Sequence, residues 1–189
     1  WSIAEFHAYA EMELDRNGWT ATASSTAAGD ITADAFDGNT ATRWSTGTAQ
    51  ASRQHYQLDF GQAQTFNRLL IDAGSSTGDY PRGYQVQVSS DDTTWATVAS
   101  GSGTGQAVLV QFPVQVARYL KITQTGTAGN WWTIQELGVY GEQEDNRTGW
   151  TATASATEPG GSAGNALDGS LATRWSSGAP QATGTWFEV

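Results

Sequence analysis

The sequence predicts an all-β protein, an antiparallel sandwich of two sheets. Three observations carry that reading: residue usage, the alternation of short apolar runs, and the turn residues between them. Thr, Ser, Gly and Ala dominate the 189 residues, helix formers such as Lys, Glu and Leu are scarce, and nine Trp, six Tyr and six Phe can fill a core. That usage suits half-buried strands and tight turns better than helices. Strands are expected at 56–60, 66–72, 84–90, 95–99, 107–112, 118–125 and 134–140. Tyr84-Gln85-Val86-Gln87-Val88 and Tyr119-Leu120-Lys121-Ile122 show the mixing of apolar and polar residues that a strand with one face in a core requires. Between the runs lie the turn-rich stretches 74–78, 89–92, 101–105 and 126–129, dense in Gly, Ser and Asp. No helical period persists over about a dozen residues. Regularly spaced short strands in such a chain pack as two sheets.

The chain also repeats itself with a period of 131 residues. The segment Trp19–Ser24 returns as Trp150–Ser155, Asp37-Gly38 as Asp168-Gly169, and Ala41–Ser45 as Ala172–Ser176. Over residues 19–58, 19 of 40 positions are identical to their counterparts in 150–189, too many for coincidence without a gap. Trp1–Tyr9 matches Trp132–Tyr140 at the same offset. Three pieces follow. Residues 1–10 read as the last strand of a preceding repeat, 17–142 as one complete sandwich, and 147–189 as the first part of a following repeat. The terminal pieces lack the counterpart of Asp59–Trp131, so they are not expected to close a second sandwich, and neighbouring repeats are their expected partners.

Charge removes several function classes. The net charge is −10 with a single lysine, Lys121. Nucleic-acid binding needs clustered Lys and Arg, and anionic membranes are disfavoured for the same reason. No run approaches the roughly 18 apolar residues that would cross a bilayer, and no signal peptide opens the chain. Cysteine is absent, which removes thiol catalysis and disulfide staples. His7 and His55 have no nucleophile pattern beside them. Asp91-Asp92 falls in a hairpin turn, whereas a glycosidase sets two carboxylates across a cleft. Phosphate loops, zinc spacings and G-x-S-x-G are missing. Binding is expected, not catalysis.

Five motifs in order carry a family resemblance: Ala35-Phe-Asp-Gly-Asn39 with Thr42 and Trp44; Tyr56–Gly61; Tyr84–Ser90 with Trp95; Ala117–Ile122; and Trp131-Trp132 with Ile134, Glu136 and Tyr140. Together they resemble the coagulation-factor V/VIII type C, or discoidin, superfamily, and look closest to family 32 carbohydrate-binding modules of bacterial glycoside hydrolases. The resemblance implies a jelly-roll, galactose-binding-domain-like sandwich whose loops at one end bind ligand. It implies a non-catalytic module that holds a secreted, extracellular multidomain enzyme on polysaccharide or oligosaccharide. The alternative is a cell-surface adhesion or structural repeat with no catalytic domain attached. Animal members close the domain with a disulfide, which is impossible here, and the basic loops of their membrane-binding forms are missing.

Two constellations follow. Asp37 and Asn39 can close an Asx-type turn on their own backbone. The resemblance implies more, a structural calcium ion, which takes about six to eight oxygens. Asp37 and Glu136 would give carboxylates, Thr42 its hydroxyl or carbonyl, and Asp34, Asn39 and Gln135 mainly carbonyls. The following repeat keeps Asp168 and Thr173 but has Asn165 and Ser170. The second constellation is aromatic. Adjacent strand residues face opposite ways, so one ring of the Trp131-Trp132 pair must point outward. An exposed indole offers a flat face to a sugar ring. Trp131, beside Asn130, is the expected stacking surface, while Trp44 and Trp132 read as core. Asp79 and Arg82 are expected to bond sugar hydroxyls, or to pair and shape their own turn, with Tyr80 as a wall. Gln50 and Arg53, in an expected loop 45–53, form a weaker set.

Overall fold

The computed structural model describes every residue, Trp1–Val189. In chain order the strands are β1 (Ser2–Ile3), β2 (Tyr9–Glu13), β3 (Thr20–Ala23), β4 (Trp44–Gln50), β5 (His55–Asp72), β6 (Tyr84–Ser89) and β7 (Ala96–Gly101). They continue as β8 (Ala107–Gln124), β9 (Ala128–Ile134), β10 (Glu136–Glu144), β11 (Thr153–Ala154), β12 (Trp175–Ser176) and β13 (Phe187–Glu188). Two short 3-10 turns, Thr32–Ala35 and Ala163–Ala166, are the only helical pieces. The chain forms two compact units, Glu11–Glu142 and the paired segments Trp1–Ala10 with Gln143–Val189.

In the larger unit the main sheet has the order β2-β10-β5-β8-β6-β7, with β3 added against the first half of β5. The four expected strands 56–60, 66–72, 107–112 and 118–125 are halves of two 18-residue strands, β5 and β8. Their joints read as turns because Gly61 and Pro113 break the pattern. Both are absorbed by bulges instead. The pairing register shifts between Asp59 and Gln64, where Gly61 has φ +78, and again between Phe66 and Arg68, opposite the Pro113 stretch. A bulge bends a strand without ending its ladder, and Pro is tolerated there. The bend lets β5 pair with β3 at one end and with β10 at the other.

Inward residues then follow the period of two: Tyr56, Leu58 and Phe60; Leu69 and Ile71; Val86 and Val88; Val108 and Val110; Leu120 and Ile122. A separate ribbon of β4 and β9 contributes Trp44, Trp132 and Ile134, all fully buried. Trp44 packs on Tyr56 at 4.8 Å between ring centroids and meets Trp132 edge to face at 5.1 Å. Such burial contributes about 1.5–3 kcal/mol per large side chain, and the edge-on contact about 0.5–1.5 kcal/mol more.

Two expectations need correction. Residues 45–53 are not a loop, because 44–50 form strand β4, and the supposed loop before Trp131 enters β9 at Ala128. Ser, Thr and Gly made both stretches look like turns, yet each satisfies its backbone across the ribbon, with Trp44 opposite Ile134 and Ala49 opposite Trp131. The expected strand 134–140 is divided at Gln135, whose N–H turns to the Asp72 carbonyl at 2.7 Å.

The smaller unit holds two two-stranded ribbons and no counterpart of the main sheet. Its pairings copy those of the larger unit. Ile3 lies opposite Trp175 as Ile134 lies opposite Trp44, and Ala154 opposite Phe187 as Ala23 opposite Tyr56. Trp1 meets Trp175 edge to face at 4.9 Å, the arrangement of Trp132 and Trp44. Arg147 pairs with Glu5 as Arg16 pairs with Glu136. The N-terminal and C-terminal segments thus pair with each other in the register seen in the larger unit.

Candidate ligand groove and cation loop

Strand alternation decides which indole is available. On β9, Trp132 points inward and is fully buried, whereas Trp131, one residue earlier, is 39% exposed. The Trp131 side chain helps line a groove of about 540 Å³ with Thr26, Ala27, Asp30, Arg43 and Thr48. Asp30 is held by the Ser45 hydroxyl, which donates to its Oδ2 at 2.5 Å. Arg43 donates from Nη1 to the Ser76 hydroxyl at 2.9 Å. The groove therefore offers an apolar face, a carboxylate and a guanidinium. Stacking on ring C–H groups with two-sided bonding to neighbouring hydroxyls is what that set can do.

The other residues singled out from sequence gather beside Trp131, but mostly as its support. Gln50 is buried. Its Nε2 donates to the Tyr80 carbonyl at 3.0 Å and the Trp131 carbonyl at 2.8 Å, and its Oε1 accepts from Arg82 N at 3.1 Å. Arg82 stacks over the Tyr80 ring at 3.7 Å and donates to the carbonyls of Gly78 (2.8 Å) and Tyr80 (3.3 Å). Its contact with Asn130 Oδ1 is long, at 3.5 Å. Asp79 Oδ2 accepts from the Thr133 hydroxyl at 3.0 Å, so it pairs with β9 and not with Arg82. These groups lock the loop against the ribbon. Arg53 sits in the turn after β4 with φ +76, its N–H bonded to the Gln124 carbonyl, and does not line the groove. Asp30 and Arg43 were not singled out from sequence. Arg43 left a signal, since it recurs as Arg174 before a buried tryptophan; Asp30 left none, because its counterpart is Gly161.

The oxygen-rich turn forms as an Asx turn. Asp37 Oδ1 accepts from Asn39 N and Oδ2 from the Thr42 hydroxyl, both at 2.8 Å. Gln135 lies across the site, its Oε1 accepting from Ser75 N at 3.2 Å and its Nε2 donating to the Thr40 carbonyl. Gly74 makes room for it: a Cβ there would lie 1.1 Å from Gln135 Oε1, and φ is +54. Glu136 takes Arg16 on one oxygen, while its Oε1 is buried with no partner. A buried acceptor without a partner is costly. No cluster of three or more His, Cys, Asp or Glu is present, so any ion here would rely on carbonyls as well. The hard oxygen set and the orphaned carboxylate oxygen fit calcium. In the smaller unit the counterpart carboxylates converge, the Ser170 N–H being shared by Glu5 and Asp168 at 2.9 Å each.

Residues 20–137 match the F5/8 type C domain. The chain belongs to the F5/8 type C domain family. Among solved structures, this F5/8 type C chain is similar to chitosan-binding module 2, in complex with chitotriose, of a chitosanase/glucanase from Paenibacillus sp. IK-5. Identity is 30%, coverage 65% of this chain and 95% of that one, and the TM-score 0.58. It is similar to the family 32 module of NanJ from C. perfringens in complex with galactose (25% identity, 69% and 99% covered, TM-score 0.62). A third is the family 32 module of AlyQ in complex with 4,5-unsaturated mannuronic acid (31% identity, 68% and 97% covered, TM-score 0.56). No curated protein matches.

Charge in this F5/8 type C domain is anchored at its turns. Hydrogen bonds from Arg118 hold the Asp59 carboxyl below the usual carboxylate range, helped by the Gly61 N–H. The backbone N–H groups of Thr94 and Thr93 do the same for Asp91.

Proposed function

We propose that this F5/8 type C domain is a non-catalytic carbohydrate-binding module of a secreted, extracellular bacterial protein, and that its Trp131 groove holds polysaccharide. The observation that carries this reading is a half-exposed indole placed beside Asp30 and Arg43 in one groove. The sugar ring stacks on Trp131, and the carboxylate and guanidinium bond its hydroxyls. The similar modules that hold chitotriose, galactose and a mannuronic acid support a sugar as the ligand class. One shallow site binds weakly, and repeated copies in one chain gain by effective concentration. A structural calcium at Asp37, Thr42 and Glu136, with carbonyls of Asp34, Asn39 and Gln135, would tie an early loop to β10.

The test is a pull-down of the full chain on insoluble glucans, galactans and chitosan, repeated with Trp131→Ala. Retention on one polymer that the variant loses supports the proposal. Equal retention of both proteins on every polymer, or none by either, sinks it.

A further inference from the structure

The ladder that carries Trp131 is irregular at that residue. β4 and β9 pair evenly at Trp44–Ile134 and Ser45–Thr133, then shift register between Ser45 and Ala49 and again between Ala49 and Gln50, on both sides of the Ala49–Trp131 pair. A bulged ladder holds its backbone less firmly than a regular one. At Trp131 a side chain takes over: the carbonyl accepts from Gln50 Nε2 at 2.8 Å. Whatever holds Gln50 therefore sets the backbone from which the exposed indole projects.

Gln50 is held by a second glutamine. Gln124, at the end of β8, is fully buried and donates from Nε2 to Gln50 Oε1. Its own Oε1 accepts from Gly83 N at 3.2 Å. Gln50 Oε1 also takes the Arg82 N–H, and Gln50 Nε2 also donates to the Tyr80 carbonyl. The amide of Gln50 cannot be turned round, because its NH2 faces two carbonyls and its oxygen faces donors. Arg82 sends the pair only its backbone N–H; its guanidinium goes to the Gly78 and Tyr80 carbonyls. Buried amides bonded in this way fix one arrangement and make the others costly. Backbone contact closes the same spot. The Gly83 carbonyl accepts from Thr125 N at 2.8 Å, and a Cβ at Gly126 would lie 2.6 Å from Gly83 N. Loop 78–83 and the segment from β8 to β9 are clamped there.

We propose that Gln124 is a positioning residue for the Trp131 indole, acting through Gln50. The relay runs from the Gly83 N–H to Gln124, to Gln50, to the Trp131 carbonyl, and it fixes the ring before a ligand arrives. Neither glutamine lines the groove, so neither is a ligand contact. The consequence for binding rests on the Trp131 groove being the sugar site; the positioning does not. A surface ordered in advance loses less freedom on binding, so a loosened indole binds more weakly with all its contacts still present.

An amide-to-carboxyl exchange in the isotope-labelled full chain tests this by nuclear magnetic resonance. At neutral pH, Gln124→Glu sets a carboxylate against Gln50 Oε1, two acceptors with no proton between them. Burial raises a carboxyl, so by about pH 5 the group is protonated. Its O–H then donates to Gln50 Oε1 while its other oxygen still accepts from Gly83 N. The Trp131 indole N–H signal, identified by its loss in Trp131→Phe, should shift or broaden at neutral pH and return to the parent's position in acid. Most other indole signals should stay in place. Chitotriose, galactose and a glucose hexamer are then titrated, each variant against the parent at the same pH. Whichever sugar the parent takes should bind at least about tenfold more weakly at neutral pH and recover in acid. Gln124→Met, of similar length and without charge, is the second variant should the first fail to fold, and its loss should not recover. A Trp131 signal unmoved in the variants overturns the proposal. So does a shift in Gln124→Glu that acid does not reverse, or movement of all indole signals together, which makes the pair a support of the fold alone. If the signal moves and returns as expected but no sugar binding follows it, the positioning stands and the sugar reading falls.

Discussion

At the scale of single residues, the division of labour around Trp131 separates contact from support. Trp131→Ala removes a ring that is 39% exposed and outside the buried core, so binding should drop by at least about tenfold, as for a dominant aromatic contact. Its melting temperature should stay within a few degrees of the parent, read by calorimetry. Arg82→Lys should do the opposite. An ammonium cannot copy the planar fork that reaches Gly78 and Tyr80 and stacks on the Tyr80 ring. It should cost about 1 kcal/mol of stability and change affinity less than Trp131→Ala does. Equal loss of binding in both, with unchanged melting, would make Arg82 a direct contact. Asp59 sets a pH dependence. Its carboxyl is held low in the folded state by Arg118, so the ionised form stabilises the fold above the unfolded value of about 3.9. That stability is lost as pH falls below about 4 and through the lower folded value. Melting between about pH 6 and 2 should show a steep late drop that Asp59→Asn flattens, and an identical drop in the variant would assign it to other carboxylates.

At the scale of elements, what was legible in the sequence was what alternates. Tyr84–Ser89 and the halves of β5 and β8 were found because burial on one face leaves a period of two. The continuity of those halves was not legible. Gly61 and Pro113 look the same in sequence whether they end a strand or sit in a bulge, and only the partner strand decides. β4 was missed for a related reason: Ser45, Thr46 and Gly47 lack a pattern of their own, and pairing with β9 supplies the order. Trp131 was legible from its neighbour Trp132, through alternation alone. Asp30 was not, because a lone Asp after Gly29 reads as a turn until β4 brings Ser45 beside it. The loop after β5 carries its own test. Gly74→Ala would place a Cβ on Gln135 in a left-handed backbone, costing about 1–3 kcal/mol and releasing the 74–76 loop. Protection of Ser75 N–H from exchange should fall with it; unchanged exchange and melting would mean that Gln135 relocates freely.

At the scale of the whole molecule, two compact units of different completeness share one chain. Calcium that binds the folded state stabilises it by mass action, about 2.7 kcal/mol at a hundredfold excess over the dissociation constant. Chelation should therefore lower the melting midpoint by roughly 2–8 °C, and an unchanged midpoint would leave Asp37 as a turn residue only. The smaller unit buries Trp175 but leaves its partner Trp1 39% exposed, and has no counterpart of the main sheet, so it should open first. The two edge-on indole pairs, Trp44 with Trp132 and Trp1 with Trp175, also make the protein its own optical thermometer. Chromophores about 5 Å apart and nearly perpendicular exchange excitation, and their joint circular dichroism vanishes once either ring swings away. Each unit owns one such coupled pair. Heating should bleach the shared band in two steps, the first from the terminal pair and the second from the central one, and Trp1→Phe should erase the first step alone.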